Sequence, residues 1–230
     1  MKKIYVAVIA VLSLSFSSCY NDDVLITENK RMAVYATLLD SNNLALQDIP
    51  VNVTTNFSDS YNILGASSSK ALGKVDFISL ISYNRGIVVN FNPSSSENHN
   101  SNFTSLSYVD PREIMDRAEK LDLELVQLGA IQDVNISIDR LPETDSVEFQ
   151  IQYYNTRQFI SLDEENNPIG KYQNTSNTYE RLDEEMTSFQ NSYRLPVGSP
   201  IKIFYTVNDE AEKDTTITVN SANSIIDLEF

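Results

Sequence analysis

From Val147 to Tyr153 the chain reads Val-Glu-Phe-Gln-Ile-Gln-Tyr, with Val147, Phe149, Ile151 and Tyr153 alternating with Glu148, Gln150 and Gln152. A period of two puts one set of side chains on each face of a strand, so this segment predicts a sheet with one face buried and one in water. The same period recurs along the chain. Met32, Val34 and Leu38 share a face, as do Val51 and Val53, Val75 and Phe77, and Ile87, Val89 and Phe91. Leu121, Leu123 and Leu125 follow, then Val134, Ile136 and Ile138, then Ile201, Ile203 and Tyr205, and finally Ile217 and Val219, then Ile226, Leu228 and Phe230. Runs such as Asp40-Ser41-Asn42-Asn43 and Asp163-Glu164-Glu165-Asn166-Asn167 separate them. Asp and Asn tolerate left-handed backbone and bond their own main chain, which closes turns between strands.

The pattern predicts an all-β fold of two tandem antiparallel β-sandwiches, over residues 30–128 and 129–230, with the boundary near Gly129. Two segments predict short helices. Asp110-Pro111-Arg112-Glu113 has a cap, a proline at the first helical position and a capping glutamate. Tyr179, Leu182, Met186, Phe189 and Tyr193 are spaced 3, 4, 3, 4, a stripe that suits a helix laid on the second core. Residues 93–109 read as a Ser/Asn-rich loop. The terminal Phe230 resembles the last residue of membrane barrels, but Glu148, Gln150, Asp227 and Glu229 on the second face exclude a lipid-facing wall.

The first residues read as an export signal: Lys2 and Lys3, an apolar run from Ile4 to Phe16, then Ser17 and Ser18. The run falls short of the roughly 20 apolar residues that a spanning helix needs. It ends at Cys19, the one cysteine of the chain. Phe16-Ser17-Ser18-Cys19 resembles the lipobox of bacterial lipoproteins, with Phe16 where that family usually has an aliphatic residue. The resemblance implies a signal peptide over residues 1–18, lipidation (palmitate among the acyl chains) at Cys19 and a lipidated stalk over residues 19–29. Acyl chains would then replace the removed apolar anchor at about 0.8 kcal/mol per buried CH₂. Asp22 and Asp23 resemble the acidic export tag of outward-facing outer-membrane lipoproteins, which implies display on the cell surface.

The transthyretin-like, carboxypeptidase-regulatory-like sandwiches offer a second resemblance. It runs from Val34 to Val53 through the Asp40 turn and Ile49-Pro50-Val51, with an echo at Gly73 to Phe77. It implies a sandwich fold and no catalysis.

Charge and composition narrow the function. The chain carries 17 Lys and Arg against 32 Asp and Glu, a net of −15; without the two signal lysines it is −15 − 2 = −17. Such a chain is repelled by nucleic acid phosphates and by anionic lipid. No cysteine beyond Cys19 is left for a disulfide, so the cores alone must hold the fold. The single histidine, His99, sits in Glu97-Asn98-His99-Asn100 and reads as an exposed loop residue; catalytic residues and cofactors are expected to be none. Asp163, Glu165, Asn166 and Asn167 form a calcium candidate by oxygen count, outweighed by a solvated turn. Tyr35, Tyr61, Tyr83, Tyr108, Tyr153, Tyr154, Tyr172 and Tyr179 could stack on glycans, but Tyr in strands more often edges a core.

These features lead to a non-enzymatic envelope lipoprotein that binds or scaffolds, with an envelope protein or a glycan as partner, as an accessory of an outer-membrane uptake or adhesion assembly. A carboxylate-dependent glycan hydrolase and a structural subunit of a surface fibre are the alternatives. The fibre reading expects an open edge strand.

Cys19→Ser should abolish fatty-acid labelling of the chain in its parent cell and release it from the envelope fraction. Continued co-fractionation, with no label on the parent protein, would remove the anchor from the account.

Overall fold

The alternating runs become strands because each can bury one face only against another sheet. The computed structural model describes residues 24–55, 62–82, 84–110 and 119–230. The signal segment, Cys19, Asp22, Asp23 and the helix expected from Pro111 onward lie outside these residues. Seven strands come first: β1 (Ile26–Asp40), β2 (Pro50–Thr54), β3 (Gly65–Ser68), β4 (Lys74–Ser82), β5 (Ile87–Phe91), β6 (Ser105–Asp110) and β7 (Lys120–Leu128). Seven more follow: β8 (Ile131–Asp139), β9 (Val147–Leu162), β10 (Pro168–Leu182), β11 (Ser188–Pro196), β12 (Pro200–Val207), β13 (Lys213–Thr218) and β14 (Ile225–Glu229).

The second seven strands repeat the arrangement of the first. In the first unit, β4-β1-β7 faces β3-β2-β5-β6; in the second, β11-β8-β14 faces β10-β9-β12-β13. Counted within each unit, both have the orders 4-1-7 and 3-2-5-6. In both, the first and last strands pair in parallel, β1 with β7 and β8 with β14. The fold is all-β and sandwich-like as the periodicity predicts, with these parallel pairs set among antiparallel ones. The repeat is one of topology: the matching Asp40 and Asp163 turns join strands 1 and 2 of the first unit but 2 and 3 of the second.

Each unit closes its own core. Met32, Val34, Leu38, Val51, Val53, Val89, Phe91, Leu121 and Leu128 fill the first, and Val134, Ile136, Ile138, Phe149, Ile151, Ile201 and Ile203 the second. Burying each large apolar side chain contributes roughly 1.5–3 kcal/mol, and no cross-link is needed. Phe230 packs its ring 4.4 Å from Tyr205, so the terminal aromatic serves the second core.

Three expectations are corrected. The segment with the helical stripe forms β10 and β11. Leu182, Met186, Phe189 and Tyr193 do reach the second core, but from two strands folded around a turn at Asp183, while Tyr179 is exposed. The 3-4 spacing is a product of that turn. Within the expected loop of residues 93–109 lies β6, whose two faces are both buried, so no alternation marks it. Leu125 points outward, because Glu124 takes a left-handed φ of 50° and shifts the register of β7 by a bulge.

Gly73 lies just before β4 at φ 72°, and a Cβ there would overlap the Leu38 carbonyl oxygen of β1. Its neighbour Leu72 is also left-handed, at φ 61°, yet exposed. A left-handed non-glycine residue costs roughly 1–2 kcal/mol. Gly73→Ala should therefore destabilise by more than about 2 kcal/mol in urea unfolding, while Leu72→Asn should be neutral or stabilising by up to about 1 kcal/mol. Equal, small effects would contradict this backbone account.

Candidate functional site

The hairpin of β9 and β10 outgrows its own sandwich. β9 pairs antiparallel with β12 from Val147 to Gln152, then parallel with β6 from Arg157 to Ser161. Strand 2 of the second unit thus docks on strand 6 of the first, and one sheet runs through both. Odd residues of β9 (Val147, Phe149, Ile151) face the second core, whereas Ile160 and Leu162 face the first. The two small sheets therefore cover opposite faces of the shared one.

A bulge on β9 lies at the junction. Tyr154 pairs with Thr175 and Gln158 with Gln173, so residues 155–157 sit opposite Asn174 alone. From this bulge Arg157 donates to Asn90 Oδ1 at 3.1 Å and to Ser107 Oγ at 3.2 Å. Asn90 Nδ2 donates to Asn52 Oδ1 at 2.8 Å and Thr54 Oγ1 at 3.2 Å, and Ser107 Oγ donates to Asn90 Oδ1 at 2.7 Å. The Asn52, Thr54, Asn90 and Ser107 side chains are buried. The Arg157 guanidinium also lies 4.8 Å from the Phe159 ring centroid, and Phe159 stacks on Tyr172 at 4.9 Å. Side-chain contacts thus run from β2 across β5, β6 and β9 to β10.

The outer edge of β10 is open: β9 is the one described strand that pairs with it, over 15 residues. At 9 residues or fewer, the other open edges, on β3, β4, β7, β11, β13 and β14, are shorter. The extra residues of the junction bulge belong to β9, so β10 runs on as continuous strand past the register shift between Gln173 and Thr175; the other irregularity falls between Pro168 and Gly170. Tyr172 and Tyr179 are exposed on it. Tyr179 donates its hydroxyl to Glu148 Oε2 at 3.1 Å, and Arg181 holds Glu148 Oε1 at 2.9 Å. The hydrogen bond to Glu148 raises the Tyr179 pKa; burial against its neighbours raises that of Tyr172.

Asx turns close both ends of β10. Asp163 Oδ1 accepts from the backbone N–H of Glu165 at 2.9 Å and of Asn167 at 2.7 Å, and Asn166 is left-handed at φ 67°. Asp40 makes the same pair of bonds, to Asn42 and Leu44, both at 2.8 Å. Asp183 Oδ1 accepts from Glu185 N at 2.9 Å and Met186 N at 3.3 Å.

The calcium candidate thus has another use for its oxygens. Asn167 Nδ2 adds bonds to Asp163 Oδ2 at 3.3 Å and Glu165 Oε2 at 3.4 Å, and no cluster of three or more metal-ligating side chains occurs among the described residues. His99 is half-buried instead of fully exposed, its Nδ1 lying 3.1 Å from the Asn92 carbonyl oxygen and so beside a backbone group. Of the tyrosines, Tyr61 and Tyr83 lie outside the described residues, Tyr108 is buried, and Tyr153 packs 5.0 Å from Tyr193. Tyr35 lies between Asp76 and Asp122 in a shallow groove of about 400 Å³. There Lys120 pairs with Asp122 at 2.9 Å, and Lys70 pairs with Asp76. The bond from Lys120 pulls the Asp122 pKa down, the opposite of what a general acid needs. A groove of about 550 Å³ beside β3 is lined by Pro50, Asn52, Ser68 and Ser95 among others, with no carboxylate.

No protein-family model matches this chain, and no curated protein does. Among solved structures, the Bacillus anthracis TIE protein matches with TM-score 0.33 and 12% identity over 88% of this chain and 34% of its own. A streptococcal ancillary pilin matches with TM-score 0.32 and 8% identity, over 88% and 63%. The C-terminally truncated tip fimbrial protein Mfa3 from Porphyromonas gingivalis matches with TM-score 0.30 and 11% identity, over 84% and 82%. The chain spans about a third of the first and less than two thirds of the second. All three scores are below 0.5, so none bears on what this chain does.

The two N–H donors hold the Asp183 pKa below the ordinary 3.8. A depressed carboxylate contributes stability above its unfolded pKa and loses it as pH falls through the folded one. Urea midpoints of the wild type should therefore fall more between pH 5 and pH 3 than those of Asp183→Asn, whose amide does not titrate. Parallel pH profiles would contradict the role of this turn.

Proposed function

We propose that this chain is a non-enzymatic binding or scaffold module of the cell envelope, and that it makes its contacts by adding a partner's strand to the open edge of β10. The observation that carries the reading is the 15-residue edge that no described strand pairs with. Natural sheets blunt such edges with prolines, bulges, charges or covering segments. Here Pro168, the irregularity beside Gly170 and Lys171 protect one end, while Tyr172 to Thr178 is uncharged, continuous strand. Main-chain hydrogen bonds would supply affinity, and side chains on alternate positions specificity. The rest of the proposal is the lipid anchor at Cys19, display outside the outer membrane and kinship of the first unit to transthyretin-like sandwiches. The composition of the N-terminal segment and the Val34 to Val53 pattern support these. An anchored module with one long free edge serves to hold another protein at the surface. The carboxylate hydrolase reading loses support, since the acids around Tyr35 are solvent-exposed and its paired Asp122 titrates low.

A photoreactive side chain placed at the exposed Asn177 of β10 should give a discrete adduct in intact envelopes of the parent cell. The same group at the exposed Ile225 of β14 should not. Adducts from both positions, or from neither, would overturn the strand-addition reading.

A further inference from the structure

We propose that the strand added to β10 is the β10 of a second copy of this chain, paired antiparallel about a two-fold axis at Thr175. The inference rests on the strand-addition reading above and supplies its partner. Opposed residues of an antiparallel pair share a face of the sheet. A two-fold pairing of a strand with itself must therefore centre on a residue, because any register centred between residues would oppose side chains of different faces.

Charge and the length of strand on either side of the axis bear on the register. With Thr175 on the axis, Asn174 opposes Ser176 of the other copy, Gln173 opposes Asn177, Tyr172 opposes Thr178 and Lys171 opposes Tyr179. Further out, Gly170 opposes Glu180 and Ile169 opposes Arg181. No like charges meet, and the span Gly170 to Glu180 is continuous strand clear of the irregularity beside Pro168. Moving the axis to Ser176 opposes Lys171 with Arg181, which is destabilising. Moving it to Asn174 shortens the span clear of the irregularity beside Pro168 to residues 170–178.

The ends of the Thr175 register are complementary. Lys171 comes beside the exposed ring of Tyr179, whose hydroxyl already holds the Glu148 carboxylate at 3.1 Å. A cation there gains both the ring face and the acid, and symmetry makes the contact twice. Between the ends, Ser, Thr and Asn pairs supply cross-strand hydrogen bonds. In a chain of net −15, β10 carries Lys171 and Arg181 against Glu180, so two copies can approach here without stacking carboxylates. The contact is isologous and closes on itself, giving a dimer with one continuous sheet instead of a growing fibre. A single strand pair buries less than the roughly 1,000 Å² of a stable interface, so the dimer is transient in dilute solution and is best trapped.

The test is disulfide trapping in the full chain with Cys19→Ala, so that the introduced thiol is the only one. Thr175→Cys should form a covalent dimer on mild oxidation, since directly opposed Cβ atoms lie roughly 4.5–5.5 Å apart, within a small shift of disulfide geometry. Gln173→Cys and Asn177→Cys should each stay monomeric alone and cross-link when mixed. Thr175→Lys, which sets two cations on the axis, should remove the concentration dependence of the wild-type sedimentation coefficient. A Thr175→Cys chain that stays monomeric, or Asn177→Cys that cross-links to itself, overturns this inference. If the Asn177 photo-adduct then proves to be a different protein, strand addition stands and only the second copy falls.

Discussion

The parallel pairing of β9 with β6 is the contact on which the rest of the molecule depends. Seven strands make a sandwich in each half, and each sandwich could be covered on its own. The pairing from Arg157 to Ser161 with Ser105 to Val109 makes the two halves share a sheet. It also consumes the free edge of β6 and the inner edge of the β9 extension. What remains exposed is the far side of the hairpin, β10.

The polar network at this seam has a physical logic. A strand cannot change sandwich without a break in its pairing, and the bulge at residues 155–157 is that break. Arg157 emerges from it over the sheet face that carries Asn52, Thr54, Asn90 and Ser107. A half-buried guanidinium is best tolerated where its donors find acceptors. Asn90 and Ser107 provide them, and Asn52 and Thr54 in turn satisfy Asn90. The stacked Phe159 and Tyr172 continue the contact to β10. The open edge is thus backed by a firm support.

Much of the core was legible from period two alone. Val147 to Tyr153 and Val134 to Ile138 alternate because one face of each meets a core. Legibility failed where that condition failed. β6 has no dry and wet face, since Ser107 and Asn90 bury polar groups on the outer side. β10 has scarcely an apolar face, since it is largely in water, and its few apolar residues join those of β11 into a false helical period. The left-handed Glu124 turns Leu125 outward, a change no alternation reveals. The buried Asn90 inside Ile-Val-Val-Asn-Phe was the available sign of the seam. An amide in an otherwise apolar strand asks for a partner, but Arg157 lies 67 residues away and nothing local names it.

Backbone amide hydrogen exchange on dilute protein tests the shared-sheet account most directly. The account predicts strong protection along β9 on both sides of its bulge and through β6, with alternate amides of β10 exchanging fast because they face water. Fast exchange of Gln158 to Ser161, or uniform protection along β10, would contradict it.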